Sequence, residues 1–196
     1  MHIAATAIIC AVRPHGEQGA IVRALSSEFG LVSGYVQGAR SRTMRPVLIP
    51  GNVVKGDWRA RVATQLASLV VEPVHSRAHL LTEPLATAGI EWATALTAVT
   101  LPEDLPYPNL HSALDGLLSA IEHAPAARGW SGAMARYEEL LLTELGYGDS
   151  QANPHEPAAA MARNRERLVA HMLGEHRHDV MAARERLVER LKRVVA

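Results

Sequence analysis

One cysteine in 196 residues, Cys10, excludes an internal disulfide and any thiolate zinc site. It lies in the apolar run TAIICAV, where a small buried hydrophobe is the expected role. Aromatic residues are scarce at 4%, and the first eighty residues hold only Phe29, Tyr35 and Trp58. No apolar run approaches the roughly 20 residues that cross a bilayer. The opening MHIAATAIICAVRP lacks a basic leader and alternates like a strand, so a cytoplasmic protein without membrane contact is expected. The sequence also lacks a phosphate-binding G-x-x-x-x-G-K-[ST], a G-x-G-x-x-G after a strand, a G-x-S-x-G, and a cysteine beside a plausible base. Catalysis is therefore not expected.

Net charge is zero as well, but only as a sum of opposites. Residues 1–80 carry nine Lys and Arg against four Asp and Glu, residues 81–157 two against eleven, and residues 158–196 nine against five. A basic front is what a polyanion-binding module shows, whereas an acidic middle repels the same ligand.

With 48% hydrophobic residues the chain can build a packed core. In the front segment, β-forming runs recur between turn residues: TAIICAV, AIVRAL, LVSGYV, NVVKGDWRARV and SLVVEPV. Five short strands in so short a stretch predict a small barrel of the oligonucleotide-binding type over residues 1–80. Arg13-Pro14-His15-Gly16 and Phe29-Gly30 are turn signals, and Pro46, Pro50 and Gly51 bar a strand across 44–52. After Pro84 the period shifts toward 3.6, which predicts helices over 84–100, 109–124 and 131–145. Asn109 and Ser131 are the expected N-caps, Pro125 the stop of the second helix, and Gly146 the left-handed end of the third. Residues 146–157 read as a linker, and two basic closing helices follow over 158–173 and 180–195. The predicted class is α+β, a five-stranded barrel followed by an α-helical bundle over 81–196.

The candidate site residues are basic. Arg40, Arg42 and Arg45 stand at the end of an apolar run among Gly38, Ser41 and Thr43, with no acid between them. A planar guanidinium donates two hydrogen bonds to a phosphate at once, and small neighbours permit close approach. A solvated loop is the plain alternative. Arg13 at the first turn and Arg59 and Arg61 beside the last hairpin extend the set. Tyr35 and Trp58 are candidate stacking platforms, whereas Phe29 beside Gly30 is expected in the core. With so few rings, binding should rest on phosphates, tolerate any sequence and fall with salt. Near the carboxy end, His171, Glu175, His176, His178 and Asp179 supply metal-ligand types, but the H-E-x-x-H order is missing and a polar helix terminus explains them better.

The run AIICAVRPHGEQGAIVRALSSEFGLVSGYVQGARSRTMRPVLIPGN, followed by WRARVATQLASLVVEPVHSRA, resembles the amino-terminal half of the RecO family of bacterial recombination mediators. Its landmarks are RPHGE (13–17), EFGL (28–31), QGARS (37–41) and YEELLLTELGYG (137–148), with AARERLVERLKR (182–193) similar to the family's closing helix. The resemblance implies binding of single- and double-stranded DNA, annealing of complementary strands, and loading of the RecA recombinase together with RecR onto strands coated by single-strand-binding protein, whose acidic tail docks on the helical part. It places Arg13, Arg40, Arg42 and Arg45 on the basic barrel face, with Arg59 and Arg61 as weaker matches. Many relatives carry a four-cysteine zinc module after LGYG; here DSQANPHEPAAAMARNRERL holds no cysteine, so no cofactor is expected and the chain reads as a shortened member. An adaptor that binds partner proteins and has lost most DNA affinity is the alternative. An acidic middle repels an acidic tail unless Arg128, Arg136 or the closing helices supply a positive rim.

Overall fold

The computed structural model describes residues 1–62, 64–124, 126–148, 157–174 and 178–195. Its contacts divide the chain into a barrel unit, Met1–Thr82 with Leu101–Pro108, and a helical unit, Glu83–Thr100 with Asn109–Ala196.

Five strands, β1 (His2–His15), β2 (Gly19–Ser26), β3 (Gly30–Val36), β4 (Val53–Arg59) and β5 (Ala67–His75), close a barrel in the order β1-β2-β3-β5-β4. β1 is longer than its apolar run because it serves two neighbours: residues 2–8 pair with β4 and residues 7–15 with β2, bending at a register shift between Ile9 and Ala11. Alternation decides which side chains fill the interior. Ile9, Val22, Val32, Val54, Trp58 and Leu69 are among those turned into one core, and Phe29 packs at its margin. Trp58 is completely buried. The indole needs the two glycines beside it, since a Cβ on Gly56 would lie 2.3 Å from its ring and one on Gly34 2.8 Å. Gly16 and Gly30 take φ of 65° and 72° at the two predicted turns. Cys10 is buried, and desolvation pushes its thiol up to about 12, against smaller lowering by a backbone hydrogen bond at Leu25 and by Arg23.

Between β3 and β4, residues 37–52 form a run of turns fastened from inside. Asn52 Nδ2 donates to the carbonyls of Pro46 and Val47, both at 3.0 Å, and its Oδ1 accepts from the Arg77 amide at 2.8 Å. Buried Arg77 donates to the Gly51 carbonyl at 2.6 Å. Residues 101–108 add to the barrel unit: Glu103 bridges Leu31 in parallel, and the Asp104 amide donates to the Leu31 carbonyl at 3.1 Å.

In the helical unit, α1 (Pro84–Thr100), α2 (Pro108–His123), α3 (Ser131–Glu144), α4 (Pro157–Leu168) and α5 (His178–Val195) follow the 3.6-residue period, α4 running into a π turn over Val169–Leu173. Leu110, Leu114, Leu117, Leu118 and Ile121 form the buried stripe of α2. Two caps differ from expectation. Trp130, not Ser131, precedes α3 and makes no side-chain cap, and α2 opens with Pro108 so that Asn109 lies inside the first turn, its Nδ2 donating to Glu144 Oε1 at 3.0 Å. Gly146 does end α3, with φ of 86° and the paired bonds Gly146 N to Thr143 O and Tyr147 N to Leu142 O of a Schellman turn. Pro125 and most of the predicted linker lie outside the described residues.

Three ion pairs within this unit offset part of the acidic middle. Glu138 on α3 is fully buried and accepts from Arg184 of α5 at 3.1 and 3.2 Å, from Trp92 Nε1 at 2.8 Å and from Asn164 at 3.2 Å. Burial pushes its carboxyl up, while Arg184 and the two neutral donors pull it back. Arg167 of α4 pairs with Glu139 at 2.7 Å, and Arg186 of α5 with Glu91 of α1 at 3.4 Å. No helix among the described residues is long and apolar enough to cross a membrane.

Candidate nucleic-acid interface

Register alone assembles an outward row. Arg13 stands opposite Ile21, Ile21 opposite Tyr35, Tyr35 beside Ser68, and Ser68 opposite Arg59. Ala20, Val22, Val36, Ala67, Leu69 and Trp58, their neighbours along the strands, fill the core, so this row faces out. Barrels of this topology bind oligonucleotides across strands 2 and 3 and the loops β1–β2 and β4–β5. Tyr35 lies on that face, with Arg13 one strand away.

Half-buried Tyr35 is held in place by two residues of the β1–β2 hairpin. Its ring meets His15 edge-on, with centroids 6.0 Å apart and planes at 82°. It also rests against the Gly19 backbone, where a Cβ would come within 2.1 Å of the Tyr35 hydroxyl. The β3–β4 loop begins at the same hairpin, the Arg40 amide donating to the Gln18 carbonyl at 3.4 Å. Arg40 and Arg45 rim a shallow cleft of about 160 Å³ floored by Val12, Pro14, Ala39 and Leu48. Ser41 stiffens the loop between them, its Oγ accepting from the Met44 amide at 3.2 Å and its carbonyl from the Arg45 amide at 3.1 Å. Arg42 is exposed on this loop and does not line the cleft, and Arg61 is exposed in the β4–β5 connection. Among the described residues no carboxylate pairs with Arg13, Arg40, Arg42, Arg45 or Arg61.

One predicted site residue needs correction, and a second already carries a counter-ion. Trp58 offers no stacking surface, because its whole side chain lies inside the barrel. Arg59 is exposed but already forked onto Asp57 two residues back, Nε to Oδ1 at 2.9 Å and Nη2 to Oδ2 at 2.7 Å, and His2 shares that carboxylate at 3.1 Å. The Arg59 hydrogen bond holds the Asp57 carboxyl below its ordinary value, and Asp57 in turn raises Arg59. A phosphate there must displace a counter-ion already in place. Both facts were available from alternation: Val54, Gly56 and Trp58 occupy one face of β4, and Lys55, Asp57 and Arg59 the other.

His15, Gly19 and Arg23 had no individual signal. Arg23 stands opposite Ser33 on the outward face of β2 and β3, and its Nη2 reaches Glu103 Oε1 at 3.1 Å. Of the histidine and acidic residues weighed for metal, Glu175 and His176 lie outside the described residues, while His171 stacks on Tyr147 at 4.7 Å. Among the described residues, no group of three His, Cys, Asp or Glu is arranged to hold a metal ion.

Comparison with known proteins agrees with the barrel. Residues 1–77 match the family described as "Recombination protein O N terminal". The "DNA repair protein RecO" of Gluconacetobacter diazotrophicus is 40% identical over 147 residues, covering 74% of this chain and 58% of the relative. Its namesakes in Phenylobacterium zucineum and Paracoccus denitrificans are each 41% identical, over 143 and 142 residues, with 72% of this chain covered and 58% and 57% of theirs. The chain thus spans less than two thirds of the curated relatives it matches. Residues 1–77 carry the amino-terminal domain of the RecO family, the oligonucleotide-binding-type barrel described above, and the similarity to RecO proteins extends over about three quarters of the chain.

Proposed function

We propose that this chain is a non-enzymatic DNA-binding protein of recombinational repair, which holds single- and double-stranded DNA on its barrel and promotes pairing of complementary strands. The observation that carries the reading is the group around the β1–β2 hairpin: Arg40 and Arg45 rimming one cleft, Arg13 and Tyr35 on one outward row, and no carboxylate pairing with these cations among the described residues. Two strands on one cationic surface repel each other less, and pairing proceeds without bond chemistry by the protein. The names of the relatives support a repair role. RecR, the acidic tail of single-strand-binding protein and, indirectly, RecA are the proposed partners. Arg184 and Arg167 are committed to buried and half-buried carboxylates, so the proposed positive rim for an acidic tail draws on other cations, Arg128 and Arg136 among them. Without the four cysteines of the zinc module, the helical unit is proposed to work metal-free.

Oligonucleotide binding followed over a salt series tests the reading. Affinity should fall steeply with salt and little with sequence, and replacing Arg40, Arg42 and Arg45 together by Ala should flatten log K against log salt by about 2, at about 0.7 per phosphate on single strands. An unchanged slope would remove the loop from the site. Exposed Val62, Leu66, Val70 and Val74 favour the second reading, a protein-interaction adaptor. Capture of RecR or single-strand-binding protein without a mobility shift on bare DNA would select it.

A further inference from the structure

Glu103 is set against the outward face of β2 and β3 by the segment Leu101–Pro108. Its Oε1 accepts from Ser33 Oγ at 2.6 Å and lies 3.1 Å from Arg23 Nη2. Ser33 and Arg23 are cross-strand partners, two residues along β2 from the row of Arg13 and Tyr35, or about 6.6 Å at strand rise. The segment that delivers the carboxylate is built for close approach. Leu105 presses so near Gly30 that a Cβ there would lie 2.0 Å from the Leu105 carbonyl oxygen, and Asp104 takes φ of 58° to turn the chain. A hydroxyl and a guanidinium converging on one anionic oxygen form the donor set that binds a backbone phosphate. The pair remains within reach of solvent, Arg23 being 24% and Glu103 45% exposed in their side chains.

We propose that Arg23 and Ser33 form a phosphodiester site on the β2–β3 face, and that Glu103 occupies it as a built-in competitor which a nucleic-acid phosphate displaces. This rests on the DNA reading above and adds to it a binding site and its occupant. Glu103 then limits how far a strand runs from Arg13 and Tyr35 across the face. It also weakens non-specific binding, because one protein anion must leave for each phosphate that enters there.

The test uses the full chain and a fluorescent single-stranded oligonucleotide over a salt series. Glu103→Gln keeps the shape and removes the charge; it should bind more tightly at low salt and steepen the slope of log K against log salt by about 0.7. Adding Arg23→Ala to Glu103→Gln should return the slope to that of the wild type. Asp104→Asn removes a neighbouring exposed charge and suits the left-handed backbone there, so it should leave the slope unchanged. Wild-type binding with an identical slope in Glu103→Gln overturns the site alone, as does a gain that survives Arg23→Ala or that Asp104→Asn reproduces. Absence of binding by every variant overturns the DNA reading with it.

Discussion

Trp58 shows how one residue separates a structural from a binding role. Its indole fills the barrel between Gly34 and Gly56, and among the described residues its Nε1 finds no hydrogen-bond partner. Trp58→Ala should therefore destabilise the protein by about 3–5 kcal/mol, measured by urea denaturation. Trp58→Phe should lose much less, because it discards a buried donor that had no acceptor, and should leave oligonucleotide affinity untouched. A fall in affinity at unchanged stability would return the indole to the site. The position was legible in the period-two pattern of NVVKGDWRARV, where Trp58 alternates with charged residues and faces inward with Val54. The contact of Tyr35 with Gly19 was not legible, since no local pattern reports which glycine a ring from another strand will cover.

Most elements were legible, because each satisfies a period. The five apolar runs became β1 to β5, and the helix over 84–100 became α1 at those same bounds. Misses arose where a partner outside the element decides the outcome: the two ends of β1 are ordered by two different strands, and Asn109 turns to Glu144 instead of capping its own helix. Arg184 is the clearest case on a helix. It stands in the stripe Val180, Arg184, Leu187, so the period buries a cation, and only Glu138 of α3 makes that tolerable. Glu138→Gln keeps one acceptor oxygen, enough for Trp92 or Asn164 but not for both, and strips Arg184 of its counter-charge. It should cost about 3–5 kcal/mol. Pairing it with Arg184→Met should recover most of that loss, since the desolvated charge is then gone as well. A double variant no more stable than the single in urea denaturation would show that the network matters for its hydrogen bonds and not for charge balance.

For the whole molecule, the structure redraws the charge pattern of the sequence. Counted by unit, the barrel with residues 101–108 holds nine Lys and Arg against six Asp and Glu, and the helical unit eleven against fourteen, so +3 stands against −3. The acidic middle and basic end largely cancel inside one unit, through Glu138–Arg184, Glu139–Arg167 and Glu91–Arg186. Linear counting could not foresee this, because the pairs join residues 28 to 95 positions apart. Two units of opposite sign in a chain of zero net charge should attract between molecules once screening is weak. The Debye length is about 30 Å at 0.01 M salt and about 8 Å at 0.15 M, so apparent mass in sedimentation should rise at the lower salt and fall back at the higher. An oligonucleotide bound to the barrel neutralises its cations and should reverse the association at low salt. Association that persists in 0.15 M salt would instead place the apolar side chains of β5, Val70 and Val74, at the contact.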